Sequence, residues 1–122
     1  MLYAILCYHD EDLVGSWSKE QDAAVMSKLT VIQDKLKNDG RLGPVARLLP
    51  TTAAMTLRKD NPSVVLDGPY AETKEQLLGF YLVDFENLDA AVQFASELGA
   101  ANPGGAYEIR PVGYFDVGSR AV

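Results

Sequence analysis

Apolar positions divide the chain into four strand-like and two helix-like segments. Residues 2–8 and 77–84 are apolar at nearly every position, which is typical of central strands covered on both faces. Residues 41–49 predict another strand, which Gly43 and Pro44 interrupt as in a bulged or edge strand. Tyr107 and Ile109 alternate with polar residues and predict a last strand.

The two helices are indicated by capping residues as well as by periodicity. Ser18 and Gln21 have capping-box spacing, and Gly40 suits the left-handed position after a helix end. Between them, apolar residues recur on one helical face: Val25, Leu29, Ile32 and Leu36. Asn87 predicts the start of the second helix, and Gly99 is expected to end it.

A hairpin is predicted within residues 54–67, between the strands at residues 41–49 and 77–84. Met55 and Leu57 alternate with polar residues, Val64 and Leu66 follow, and residues 59–62 have turn composition. Without the hairpin the order is strand, helix, strand, strand, helix, strand. The sequence therefore predicts one α+β domain over residues 1–122, with a ferredoxin-like βαββαβ fold and an inserted β-hairpin.

The apolar character of the two central strands also predicts a dimer. Two helices can cover one face of the sheet, yet both faces of these strands are apolar. A second copy of the chain is the simplest cover, so we expect a homodimer packed sheet against sheet. The tail over residues 113–122 is expected to cross to the partner or to fray.

Charge and composition narrow the classes of partner. Eleven Lys and Arg against seventeen Asp and Glu give a net charge of −6, which argues against nucleic acid and anionic membranes. One cysteine and one histidine supply few metal ligands, and no dinucleotide or phosphate-loop motif is present. We expect no metal and no cofactor. The absence of a targeting signal or an 18-residue apolar run leads us to expect a cytoplasmic protein.

One long segment carries a family resemblance. Residues 67–81 read DGPYAETKEQLLGFY and resemble the signature of the DGPF family, within the YCII-related proteins, with Tyr70 in place of Phe. The chain start, the end of the first helix and residues 107–112 extend the similarity over nearly the whole chain. The resemblance implies a dimeric α+β barrel.

The same resemblance says less about activity. Some relatives are associated with extracytoplasmic-function sigma factors, and some distant YCII-like proteins are dehydrochlorinases or related lyases with a His–Asp pair. In those enzymes the histidine lies on the first helix, whereas residues 18–39 of this chain contain none. The catalytic assignment therefore does not transfer by position.

His9 and Asp67 are the candidate catalytic residues. A histidine with its ordinary pKa near 6.5 suits general acid–base work, and folding could bring Asp67 beside His9. The alternatives are structural. His9 is equally consistent with a surface histidine at a strand end, and Asp67 with a carboxylate that bonds the backbone of the Asp-Gly-Pro bend.

The candidate ligand-binding residues follow the bend and the later strands. They are Tyr70, Glu72, Lys74, Glu75, Tyr81 and Arg110. Lys74 or Arg110 would hold an anion, and the tyrosines would suit an aromatic ligand. The alternatives are a solvated charged face, an ion pair between Glu108 and Arg110, and core packing of the tyrosines.

Three functions remain open on this evidence. The first is a small-molecule-binding homodimer with a polar pocket near the bend, including a regulatory one. The second is a cofactor-independent lyase, hydrolase or isomerase that uses His9 and Asp67. The third is an interaction module for a sigma factor, which rests on the family resemblance alone.

Overall fold

The computed structural model describes residues 1–119, which form two antiparallel sheets and three α-helices. The strands are β1 (Leu2–Asp10), β2 (Leu42–Arg47), β3 (Met55–Arg58), β4 (Val64–Asp67), β5 (Glu75–Asp84) and β6 (Ala106–Pro111). The helices are α1 (Glu11–Gly15), α2 (Lys19–Asn38) and α3 (Leu88–Ala101), and Thr51–Ala53 forms a 3₁₀ turn.

The main sheet has the strand order β2-β5-β1-β6, and all neighbours are antiparallel. Helix α2 connects β1 to β2 with β5 between them, and α3 connects β5 to β6 with β1 between them. These two split units are compatible with the predicted ferredoxin-like α+β fold.

The core lies on one face of this sheet. Side chains alternate across a strand, so Tyr3 and Ile5 of β1 share a face with Tyr81 and Val83 of β5, as the register requires. Both helices cover that face and complete the buried cluster with Leu29, Leu36, Ala91, Phe94, Ala95 and Leu98.

The opposite side, here called the outer sheet face, carries Leu2, Ala4, Leu6, Tyr8, Phe80 and Leu82. All six are partly exposed. None of the described helices contributes its buried residues to this face, because those residues belong to the cluster on the other side.

The predicted helix starts are confirmed, and one predicted end is wrong. The Ser18 hydroxyl accepts from the Gln21 N–H, and the Gln21 side chain accepts from the Ser18 N–H. Asn87 caps α3 through the N–H of Ala90, and Gly40 has a φ of +72° after α2. Helix α3 continues past Gly99 to Ala101, because two alanines of high helix propensity follow the glycine.

The predicted second strand and hairpin are also confirmed. Strand β2 lies at the sheet edge, and its register shifts between Leu42 and Val45, where Gly43 and Pro44 stand. Strands β3 and β4 pair over residues 55–58 and 64–67. Their apolar side chains remain exposed, Met55 by 69%.

Two short elements were not predicted from the sequence. Asp10 caps α1 by accepting from the N–H groups of Asp12 and Leu13, and the Glu11 carboxylate accepts from the Thr51 N–H at 2.8 Å. This contact ties the 3₁₀ turn to α1. The described part of the tail continues from β6 through a bond of the Val112 N–H to the Leu2 carbonyl, and residues 120–122 of the predicted tail lie outside the described residues.

Within residues 1–119, the helices are too short or too polar to cross a membrane.

Candidate functional site

A cleft of about 180 Å³ opens between the N-terminal half of α2, helix α1 and the covered face of the sheet. We call it the helix cleft. It exists because α2 buries Leu29 and Leu36 but no residue before them. The apolar side of the cleft includes Val14, Trp17, Val25, Met26 and Leu29. Its polar groups are Cys7, His9, Asp22, Gln33, Arg47, Tyr81, Asn102 and Tyr107.

An ion pair joins α2 to the edge strand beside this cleft. The Arg47 guanidinium lies 3.2 Å from the Asp22 carboxylate, and both side chains are partly exposed. Exposed pairs of this kind contribute little to stability. The pair does neutralise both charges, so the cleft wall carries no unpaired charge among the described residues.

His9 is buried to 6% exposure beside the cleft, and the backbone binds both of its ring nitrogens. Nδ1 accepts from the Asp10 N–H at 2.8 Å, which assigns the ring proton to Nε2. Nε2 lies 3.3 Å from the Pro103 carbonyl and donates to it. The edge of the ring also meets Trp17, with ring centroids 6.0 Å apart. These bonds hold the ring of His9 in one orientation.

Two glycines make room for this histidine. Gly104 and Gly105 have φ values of +92° and +74°, which side-chain-bearing residues rarely adopt. A Cβ at Gly104 would lie 3.1 Å from Nε2 of His9, and one at Gly105 would overlap the carbonyl oxygen of Tyr8. The loop between α3 and β6 can therefore close over His9 only with glycine at these positions.

The interior wall of the cleft carries phenols and a thiol that resist ionisation. Burial raises the pKa of Cys7 and of Tyr107 to about 12, with Cys7 and Tyr81 adding to the rise at Tyr107. Burial also raises the pKa of Tyr81, whose hydroxyl accepts a hydrogen bond from Gln33 at 3.0 Å. These groups are uncharged near neutral pH.

Asn102, the residue that ends α3, lies in the same lining. Its Oδ1 atom is buried without a hydrogen-bond partner among the described residues. Buried polar atoms without partners are uncommon in folded proteins and carry a cost of about 1–3 kcal/mol. The end of the cleft at Asn102 therefore contains a polar atom that lacks a hydrogen bond within the described residues.

A second, open groove lies at the rim of the sheet on the other side of His9. We call it the rim groove. It brings His9 together with the predicted ligand-binding residues Lys74 and Glu75, alongside Asp10 and Tyr8. Glu75 pairs with Asp10 in the sheet register, while the Asp10 carboxylate accepts from the N–H groups of Asp12 and Leu13.

The Asp-Gly-Pro bend lies apart from both cavities. Asp67, Gly68 and Pro69 line neither the helix cleft nor the rim groove. The described hydrogen bonds of the His9 ring go to Asp10 and Pro103 rather than to Asp67. The Gly68 N–H donates to the Ala54 carbonyl at 2.8 Å, and the Thr56 hydroxyl donates to the Gly68 carbonyl at 2.9 Å. These bonds tie the bend to the hairpin through Gly68 and Thr56, and the Asp67 carboxylate takes part in neither of them.

The other predicted binding residues are distributed unevenly. Tyr81 lines the helix cleft, whereas Tyr70 is 75% exposed with the Arg58 guanidinium 4.9 Å above its ring. Glu72 is exposed beside Gly68. Arg110 is exposed on edge strand β6, 4.0 Å from Glu108, which matches the ion-pair alternative.

Several cleft residues escaped the sequence interpretation, and one of them left a signal. Gln33 follows Leu29 by four residues, so it shares the buried helix face, where a polar residue invites a functional explanation. Trp17 and Asn102 carried no pattern that is specific to a ligand site. Among residues 1–119, His, Cys, Asp and Glu side chains form no group of three that could hold a metal ion.

Comparison with known proteins places the chain in a family. The family model for the YCII-related domain matches residues 1–116. An uncharacterized protein of Rhizobium meliloti (strain 1021) is 56% identical over 120 residues, which cover 97% of this chain and 97% of that protein. The chain therefore belongs to the YCII-related family.

Proposed function

We propose that this YCII-related protein is a homodimer that binds a small organic molecule in the helix cleft. The observation that carries the proposal is the cleft itself, in which an apolar wall meets a few converging polar groups. Small-molecule sites commonly have this composition. A bound molecule would also cover Val25 and Met26, which the fold leaves only partly buried or exposed.

A binding screen tests the proposal. Purified protein is screened for thermal stabilisation by neutral and charged aromatic and aliphatic compounds. A ligand present at 100 times its Kd adds about 2.7 kcal/mol of stability. Two valines of α2 provide a matched pair of variants, since Val25 lines the cleft and Val31 is 67% exposed on the same helix. Stabilisation should disappear in Val25→Phe and persist in Val31→Phe.

The same screen separates binding from catalysis. Recovery of each stabilising compound unchanged, as judged by mass spectrometry, supports a binding protein. Conversion of a compound, with loss of turnover in His9→Ala, would instead favour the cofactor-independent enzyme. No stabilising compound across the screen would contradict a binding role for the cleft.

The dimer is proposed on a separate observation. The outer sheet face is apolar and partly exposed along β1 and β5, with Glu108 and Arg110 on its β6 edge. The hairpin adds Leu57, Val65 and Leu66 as further exposed apolar side chains. Contiguous exposed apolar surface is typical of interaction sites. A two-fold dimer packed through the outer face would cover it with the same surface from a second copy.

Light scattering tests the dimer at micromolar protein concentration, with a mass of twice 13.3 kDa expected. Leu6→Lys should give a monomer, because it places a charge in the centre of the outer face. Glu108 lies opposite Leu6 in the register, so its carboxylate can pair with the new lysine and the single chain should still fold. Val31→Lys on the exposed side of α2 should remain dimeric. A wild-type monomer would overturn the assembly.

A further inference from the structure

The chemistry of the helix cleft limits the charge of its ligand. Asp22 and Arg47 are the charged residues of its lining, and each already has the other as its partner. The remaining polar lining consists of phenols, carboxamides, a thiol and the His9 imidazole, whose two ring nitrogens both face backbone groups. A charged ligand would lose its hydration without gaining an opposite charge, and burial of an unpaired charge is strongly unfavourable.

The hydrogen-bond roles inside the cleft indicate what the ligand must offer. The Tyr81 hydroxyl accepts from Gln33, so its own proton remains available to donate. No described acceptor within the protein takes that proton. A ligand oxygen or nitrogen with a lone pair would complete the pairing.

The size of the cleft indicates one ring. An apolar cavity of about 150 Å³ is large enough to hold benzene, and drug-sized ligands occupy about 300 Å³ or more. At about 180 Å³ the helix cleft falls near the lower figure. The ring of Trp17 on its wall suits a flat partner.

We propose that the helix cleft selects uncharged, single-ring aromatic molecules that carry a hydrogen-bond acceptor, and that it discriminates against aromatic carboxylates of the same shape. This inference rests on the proposed function, since it names the ligand class of the same site. It assigns Tyr81 as the residue that donates to the ligand's acceptor.

Benzamide and benzoate test the inference directly, because they have nearly the same shape and differ in charge. Trp17 is the one tryptophan of the sequence and lines the cleft, so its fluorescence reports binding. Titration at pH 7.5 should show benzamide binding at least about tenfold more tightly than benzoate, given the cost of burying an unpaired carboxylate. Isothermal calorimetry provides the second readout.

Two tyrosine variants test the assigned donor. Tyr81→Phe should weaken benzamide binding about fivefold, the usual effect of one lost hydrogen bond. Tyr114→Phe removes a hydroxyl from a residue that is 83% exposed and outside the cleft, and should leave binding unchanged. Circular dichroism verifies that both variants fold. Equal losses in the two variants would overturn the assignment of Tyr81.

The outcomes separate the ligand class from the proposed function. Benzoate binding as tightly as benzamide would overturn the neutral-ligand inference and leave a small-molecule site in place. If neither benzamide nor benzoate binds at millimolar concentration, the proposed class of single-ring aromatic ligands is wrong. The proposed binding function would be overturned as well only if the wider screen found no compound whose stabilising effect is lost in Val25→Phe.

Discussion

The carbonyl oxygen of Tyr8 leaves no space for a side chain at Gly105. The glycine also has a φ of +74°, where other L-residues are strained by about 1–2 kcal/mol. Gly105→Ala should therefore lower the free energy of unfolding by about 2 kcal/mol or more and displace His9. Urea unfolding measures the first effect, and the histidine ring signals in an NMR spectrum measure the second.

Gly113 provides the control for that substitution. Its Cβ would meet no atom within 4 Å, and its φ is not in the left-handed region. Gly113→Ala should leave the unfolding midpoint nearly unchanged. Equal effects of the two alanines would show that the His9 loop imposes no special demand on its backbone.

Ionisation of Cys7 and Tyr107 gives a pH dependence with a definite sign. Burial raises the pKa of the thiol from 9.0 and that of the phenol from 10.0, in both cases to about 12. As pH rises above about 9, the unfolded chain loses these protons before the folded chain does. Stability is therefore complete below pH 9 and should fall progressively up to about pH 12.

Urea unfolding midpoints at pH 8 and pH 10.5 measure this fall. Cys7→Ala removes the thiol, so its midpoint should fall less between the two pH values than that of the wild type. A wild-type midpoint that is constant or higher at pH 10.5 would contradict the burial of these groups. Folded protein should also resist thiol alkylation at pH 8, whereas protein in urea should react.

At the scale of the element, α2 depends on its N-terminal cap because few of its side chains are buried. Only Leu29 and Leu36 are buried along its 20 residues. Ser18→Ala removes the hydroxyl that accepts from the Gln21 N–H and should cost about 1 kcal/mol of stability. Ser27→Ala, an exposed site inside the same helix, should be neutral or slightly stabilising.

Thermal unfolding compares these two serine variants. The cap also positions the helix half that borders the cleft, so Ser18→Ala should weaken ligand binding more than Ser27→Ala does. A Ser18→Ala protein as stable as the wild type would show that tertiary contacts, rather than the cap, hold this end of α2.

The elements were predictable where their signal was local. The capping box at Ser18, the bulge at Gly43 and Pro44 and the hairpin turn each depend on neighbouring residues, and all three were found. The helix cleft was not found, because it joins β1, α1, α2 and the loop at Asn102, which are distant in sequence. Patterns along one strand or helix carry no information about the gap between two elements.

The candidate site shows the same division. The sequence selected His9 and Tyr81, which the fold brings to the helix cleft, and Lys74 and Glu75, which it brings to the rim groove. It also selected Asp67, Tyr70, Glu72 and Arg110, which line neither. A charged cluster after a glycine-proline bend is equally consistent with a site and with a solvated turn, and only tertiary structure distinguishes the two.

At the scale of the whole molecule, residues 1–119 leave two apolar surfaces without a cover. The outer sheet face is one. The hairpin is the other, and an isolated two-stranded sheet is marginally stable in water. Leu57 and Val65 pair across the hairpin and are both more than half exposed. Since the described part of the chain leaves both surfaces open, we expect its stability to depend on a second copy.

That dependence predicts a melting temperature that rises with protein concentration. For a dimer that unfolds to separate chains, each tenfold increase in concentration favours the folded state by about 1.4 kcal/mol. For a folded unit of two 122-residue chains, this corresponds to about 3 °C in Tm. Calorimetry at protein concentrations from about 2 to about 200 µM, roughly two tenfold increases, should therefore show a clear rise in Tm. Leu6→Lys should abolish the concentration dependence and lower Tm, while Val31→Lys should keep it. A wild-type Tm that stays constant over this range would mean that the outer face and the hairpin are stable while exposed to water.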